Sequence, residues 1–226
     1  MKNVLFSLCM LAICSLQAQT PFNSETDSIS YAIGFDIASN IQRPGVPLNS
    51  EMIQKGLADG FGADSGAFSP ELVQGLIKAW QQEAQANMMR ERQEQEQKIK
   101  EEGESFLAEN GQAEGIMTTE SGLQYKVLTE GTGGFPVDTS KVTVHYEGSL
   151  LSGKVFDSSY ERGEPATFTL GQVIQGWQEA LKLMQPGSIY QLYIPSDLGY
   201  GERGTPNGEI PPHSVLVFKV ELVEIL

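Results

Sequence analysis

Residues 90–104 read RERQEQEQKIKEEGE, and no other run limits so strongly what the chain can fold into. Ile99 is its only large apolar side chain, so the segment cannot anchor a core. It is nonetheless built of strong helix formers, and Glu94 to Lys98 and Glu96 to Lys100 fall at the i, i+4 spacing that supports an isolated helix. Just upstream, Leu72, Leu76, Trp80, Ala84 and Met88 keep helical phase, and Ser69 followed by Pro70 is a favourable start. One helix over about 69–109 is expected, roughly 60 Å long at about 1.5 Å per residue. Residues 90–114 then read as a rigid spacer and linker, or as a solvated linker frayed at Gly103, with a different body on each side.

The body before the spacer, residues 19–89, is expected to be all helical. From Asp27 to Gln42 the residues Ile29, Ile33, Ile37 and Ile41 recur at the helical period, with Ala32 and Phe35 widening the stripe. Pro44 to Pro47 ends that helix. A second starts after Asn49 or Ser50, carries Met52, Ile53, Leu57 and Phe61 on one side, and stops near Gly62. A module this small is marginal alone. Pairing with a second copy would cover its stripes, so 19–89 is read as a homodimerisation module.

Beyond Gly111 the pattern changes to alternating apolar and polar residues punctuated by Gly and Pro, the signature of strands. Leu123, Tyr125 and Val127 alternate, as do Val142, Val144 and Tyr146, and then Leu216, Phe218, Val220 and Leu222 near the end. Ile174, Trp177, Leu181 and Met184 fall at helical spacing, closed by Pro186 and Gly187. The expectation for 115–226 is an α+β domain: an antiparallel sheet wrapped on one short helix.

Charge and composition exclude several functions. The chain has 226 residues, and 15 basic against 29 acidic residues leave a formal charge of −14, a field that repels phosphate backbones. Nucleic acid is therefore not an expected partner. The two histidines, His145 and His213, are far apart in sequence and make no metal cluster or hydrolase triad, so neither a metal nor a cofactor is expected. Gly199 to Gly204 spells G-x-G-x-x-G, but Pro206, Pro211 and Pro212 forbid the helix that a dinucleotide site needs after it.

Both cysteines lie at the start, where Lys2 precedes the apolar run Val4 to Leu16 and Leu16-Gln17-Ala18 offers a small-residue cleavage site. Residues 1–18 read as a secretory signal peptide, and cleavage after Ala18 would leave no cysteine. The alternative is a lipoprotein box ending at Cys14, which would anchor the chain to a membrane by lipid. Either way the expected location is the periplasm.

Aromatic residues crowd the second body, and their order is informative. Val144-His145-Tyr146-Glu147-Gly148, then Gly153 to Ser159 (GKVFDSS), Val173-Ile174-Gln175-Gly176-Trp177, Leu198-Gly199-Tyr200-Gly201, Ile210-Pro211-Pro212-His213 and Leu216 to Leu222 (LVFKVEL) together resemble the FKBP-type peptidyl-prolyl cis-trans isomerase domain. Ser30 to Gly34 (SYAIG) and Gly56 to Gly60 (GLADG) resemble the N-terminal module of exported isomerases of the Mip kind. The resemblance implies an apolar cup with Trp177 as its floor and Phe168, Val173, Ile174, Ile210 and Phe218 binding substrate, while Tyr146, Phe156, Asp157 and Tyr200 take part in catalysis. It also implies proline-containing unfolded or nascent exported polypeptides as partners, and macrolide inhibitors as further ligands.

Such chemistry suits a chain without nucleophile or metal, because rotation about an Xaa-Pro bond breaks no bond. For Asp157 an electrostatic role at the rotating carbonyl and a structural one as a brace both stay open. Thr205-Pro206-Asn207 replaces the family's usual pattern in a longer rim loop, which leaves rim selectivity open. His145 is expected to face away from the cup and His213 to be structural. A rival reading of the whole is an exported dimeric holdase whose isomerisation is incidental.

Overall fold

The computed structural model describes residues 22, 24–41, 47–62 and 66–226. The expected signal peptide with its cleavage site, and Cys14, lie outside them. Contacts divide the chain into two compact units, one up to Met88 and one from Met89 to Leu226.

The first unit holds α1 (Glu25–Ile41), α2 (Ser50–Phe61) and the opening turns of α3 (Pro70–Asn110). Each helix starts on the side chain that precedes it. Ser24 Oγ accepts from the Asp27 amide at 3.1 Å, Asn49 Oδ1 from the Glu51 and Met52 amides at 2.9 and 3.2 Å, and Ser69 Oγ from Leu72 at 3.3 Å. α1 therefore begins two residues before the expected Asp27. No residue of α1 or α2 is buried, and Ile33, Phe35 and Leu57 all face solvent.

α3 crosses the polar run without a break. Its ion pairs are Arg92–Glu96 at 2.8 Å and Lys98–Glu102 at 3.7 Å, in place of the expected Glu94–Lys98 and Glu96–Lys100. Glu94, Glu96, Lys98 and Lys100 each have an opposite charge four residues away in both directions, so sequence spacing leaves the choice open.

The end of this helix belongs to the second unit. At Gly103 an added Cβ would stand 2.9 Å from Val215 Cγ2, so the bare backbone is what lets the helix seat here. The expected fray point is thus a contact point. Phe106 packs on Tyr193 with ring centroids 5.6 Å apart. Buried Gln124 donates to the Leu107 carbonyl at 2.7 Å, which also accepts from the Gly111 amide at 3.0 Å, and it accepts from Asn110 Nδ2 at 2.8 Å.

The sheet has seven strands: β1 (Met117–Thr118), β2 (Gln124–Thr129), β3 (Lys141–Leu150), β4 (Val155–Ser158), β5 (Ala166–Thr169), β6 (Ile189–Ile194) and β7 (Leu216–Ile225). All pairs are antiparallel in the order β1-β2-β6-β7-β3-β4, and β5 also pairs with β3. Val142, Val144 and Tyr146 of β3 and Leu216, Phe218, Val220 and Leu222 of β7 point to one buried face, as their alternation predicts. That face closes on α5 (Gln175–Leu181) through Trp177, Ala180 and Leu181, with Met184 in the turns just beyond. Gly176 permits the approach, since a Cβ there would stand 2.5 Å from Ile194 Cγ2.

β4 and β5 share one edge of β3 but do not meet. β4 pairs as far as Ser158 with Glu147, and β5 resumes at Ala166 with Val144. The chain leaves in between as α4 (Ser159–Arg162), capped by Ser158 and ended by Gly163 in the left-handed region.

Candidate functional site

The gap in that edge builds one wall of the site. Fully buried Ser159 accepts from the Tyr146 amide at 2.7 Å and donates to the Tyr146 carbonyl at 3.2 Å, filling the ladder step that no strand supplies. Its one hydroxyl proton being committed, His145 Nδ1, 3.1 Å away, presents its own N–H to that oxygen. His145 stacks on Tyr160 at 4.9 Å and takes no part in lining the cup.

The excursion through α4 also delivers Arg162 to the back of the wall. Arg162 Nη1 pairs with Asp157 Oδ1, and Nη2 donates to the Tyr146 hydroxyl at 2.8 Å. That hydroxyl in turn donates to Asp157 Oδ2 at 2.5 Å. Both carboxylate oxygens of Asp157 are therefore engaged inside a closed ring of three side chains. Burial, then the neighbouring Asp157, raises the Tyr146 hydroxyl above its usual value of 10.0, and the Asp157 partnership raises Arg162 further.

All ten residues expected at the site line one open cleft of about 620 Å³. β3 contributes Tyr146, β4 Phe156 and Asp157, β5 Phe168, and β7 Phe218. Val173 and Ile174 come from the turn before α5, Trp177 from its first turn, and Tyr200 and Ile210 from the long β6–β7 connection. Trp177 is only 4% exposed and forms the floor, with Tyr146, Phe168 and Phe218 each meeting its ring nearly edge-on at 5.1, 5.7 and 5.2 Å. Phe156 stands at right angles to Phe218 at 5.5 Å. The indole Nε1 of Trp177 is buried and has no hydrogen-bond partner.

Polar groups stay at the rim. Tyr200 is 41% exposed, and burial of its remainder, then the charge of Asp157, raises its hydroxyl above 10.0. Gln172, Thr205 and Glu209 also line the cleft and were missed from sequence, as were Ser159 and Arg162 behind it. Only Arg162 left a readable trace, as a cation five residues after Asp157.

The rim loop is tied down by Thr205. Its amide donates to the Ile210 carbonyl at 2.9 Å, its Oγ1 accepts from the Ile210 amide at 2.9 Å, and its carbonyl accepts from Gly208 at 2.9 Å. Gly204 is required before it: its φ is +63°, and a Cβ would lie 2.2 Å from the Ile210 carbonyl oxygen.

The second unit is thus an α+β domain: an antiparallel sheet closed on one short helix, with an open aromatic cleft between them. Residues 133–223 match the family model described as FKBP-type peptidyl-prolyl cis-trans isomerase, and 26–127 match the domain amino-terminal to it. The chain is 37% identical to outer membrane protein MIP of Legionella longbeachae, over all of this chain and 97% of that protein. It is 42% identical to the FKBP-type 22 kDa peptidyl-prolyl cis-trans isomerase of Escherichia coli K12, over 91% of this chain and 98% of that one. The crystal structure of FkpA from Escherichia coli superposes with a TM-score of 0.76 at 31% identity, covering 90% of this chain and 98% of that one. The chain belongs to the FKBP-type peptidyl-prolyl cis-trans isomerase family.

Proposed function

We propose that the chain accelerates rotation of Xaa-Pro bonds in exported polypeptides, and that the aromatic cleft is where it does so. The observation that carries this is the floor: a nearly buried Trp177 ringed by three aromatic edges, in a cleft whose only charged lining residues are Asp157 and Glu209. A proline ring fits such a surface, and the amide it belongs to then lies in a partly dehydrated cleft.

The barrier to rotation is about 18–20 kcal/mol and comes from amide resonance. Resonance places charge on the carbonyl oxygen of the planar amide, and the twisted amide has lost it. Withdrawing water from the carbonyl therefore costs the planar state more than the twisted one, which is differential binding of the transition state. About 4 kcal/mol of such selectivity gives roughly a thousandfold acceleration. No proton moves and no bond breaks.

In this reading Trp177, Phe168, Val173, Ile174, Ile210 and Phe218 hold the proline and its neighbour. Phe156 closes the wall and Tyr200 donates from the rim to a substrate carbonyl. Tyr146 and Asp157 act by position, because the Arg162–Asp157–Tyr146 ring consumes the carboxylate and fixes the wall. Macrolide inhibitors, which the family resemblance implies as ligands, would compete for the same cleft.

Residues 19–89 act as the dimerisation module. What supports this is that no residue on the apolar stripes of α1 and α2 is buried in a single chain. Export follows from the leader at 1–18, with a lipid on Cys14 as the alternative fate, and agrees with relatives named for the outer membrane.

The test is the cis-to-trans rate of an Ala-Leu-Pro-Phe peptide with purified 19–226, beside Phe156→Ala and Trp177→Leu variants. Acceleration that drops at least tenfold in both is expected. A folded parent without acceleration would sink the assignment.

A further inference from the structure

Glu209 is a charged group in the lining of a cleft that is otherwise aromatic, aliphatic and neutral polar, apart from Asp157. Asp157 is neutralised by Arg162 behind it. The carboxylate of Glu209 is held in place: Asn207 Nδ2 donates to Oε2 at 2.8 Å, while Asn207 Oδ1 accepts from the Glu209 amide at 3.2 Å. The turn carrying both residues is in turn pinned by Thr205 to Ile210, itself a buried wall of the cleft. Lys141 lines a separate, smaller cleft with Thr167 and Thr169, which shares Phe168, Gln172 and Val173 with the first. A peptide crossing the cup thus meets a fixed negative charge at the β6–β7 rim and a positive one beyond the β5 side.

We propose that Glu209 is a specificity residue that selects prolines flanked by a lysine or arginine, the cation of the client lying against its carboxylate. The inference rests on the cleft being the isomerase site. Successive Cα atoms lie about 3.8 Å apart, so a residue adjoining a proline on Trp177 reaches the rim. Two unit charges about 6 Å apart in water-like surroundings interact by enough for roughly a threefold change in binding. Lysine attracted and glutamate repelled then differ by about tenfold. The chain's general negative field cannot mimic this, since at physiological salt charges more than about 8 Å away are screened, and Glu209→Gln alters only one unit of the −14 total.

The test uses full-length mature protein and two peptide pairs: Ala-Lys-Pro-Phe against Ala-Glu-Pro-Phe, and Ala-Leu-Pro-Lys against Ala-Leu-Pro-Glu. The readout is the lysine-to-glutamate ratio of kcat/KM within each variant, with Ala-Leu-Pro-Phe as the neutral reference. In the parent a ratio near ten is expected for at least one pair, shrinking at 1 M salt. Glu209→Gln should bring that ratio to within twofold of one, and Glu209→Lys should invert it. Asn207→Ala, which frees the carboxylate without removing its charge, should give an intermediate ratio. A parent ratio of one in both pairs, or a ratio unchanged in Glu209→Gln, overturns the inference while leaving turnover of the neutral peptide intact. Loss of turnover on every peptide by the parent would instead indict the cleft itself.

Discussion

Gly148 lies beneath two walls of the cleft and offers the sharpest test of how that cleft is packed. A Cβ added there would stand 2.4 Å from Phe218 Cε1 and 2.8 and 2.9 Å from Phe156 Cε2 and Cζ. Carbon atoms settle at about 3.5–4.0 Å, so the Phe218 ring must retreat by roughly 1 Å in Gly148→Ala. It has nowhere to go: Phe218 is 5% exposed, with Trp177 at 5.2 Å and Phe156 at 5.5 Å. The floor must shift with it. Overpacking of this kind costs about 1–3 kcal/mol, which for a unit of this size lowers the melting temperature by roughly 3–12 °C. A displacement near 1 Å at a reacting site costs up to about a hundredfold in rate, so kcat/KM on Ala-Leu-Pro-Phe should fall at least tenfold. Gly134→Ala, with open space around its Cβ, is the control and should change neither quantity appreciably. Calorimetry and the peptide assay on both variants decide the matter. If Gly148→Ala melts within 1 °C of the parent and keeps its activity within twofold, the aromatic walls are not packed as described.

Asp157→Leu leaves the Tyr146 hydroxyl without its acceptor and Arg162 without its anion, and should cost about 1–3 kcal/mol in urea unfolding; Arg162→Leu should cost less, because Tyr146 keeps its bond to Asp157. Equal losses would contradict the ring. The folded state raises the Tyr146 and Tyr200 hydroxyls above 10.0, so it holds those protons more tightly than the unfolded chain. The stability they contribute is full below pH 10 and is lost as pH rises through the folded values, so unfolding free energy should be level from pH 8 to 9.5 and decline beyond it. A decline that is equally steep in Tyr146→Phe would assign it to other groups. Ile33 is 56% exposed in the single chain, so Ile33→Asp should not harm a monomer, whereas a dimer built on α1 should dissociate in sedimentation velocity. A dimer that survives places the contact elsewhere.

Much of this was legible from the residues alone because the relevant signals are local. Side chains at the helix starts bond amides two or three positions on, so Asn49, Ser69 and Pro70 announced α2 and α3. Alternation along β3 and β7 reports a face of each strand, and all ten expected cleft residues do share one cavity. What stayed hidden depends on contacts between segments distant in sequence or on choices among equivalent partners. Gly103 reads as a weak point in a helix until Val215, more than a hundred residues later, is brought against it. Ser159 looks like one more serine in a turn until β4 parts from β3 and leaves the Tyr146 backbone to be satisfied. The ion pairs of α3 could not be chosen because Glu94, Glu96, Lys98 and Lys100 each have two candidates one turn away.

The amino-acid sequence by itself determined the division into an apolar-striped helical part, a polar helix and a strand-rich domain, since hydrophobic period and turn residues act over a few positions. It also carried the spaced aromatic blocks through which the chain resembles the FKBP-type isomerases. Only the tertiary structure decided which polar groups bear on the cleft. Arg162, Asp157 and Tyr146 close a ring because the four-residue α4 sits at a gap in the sheet edge. Glu209 faces the cup because Thr205 and Asn207 fold its loop over it. Electrostatic interactions depend on distance through space, and that distance is set only when the chain has closed on itself.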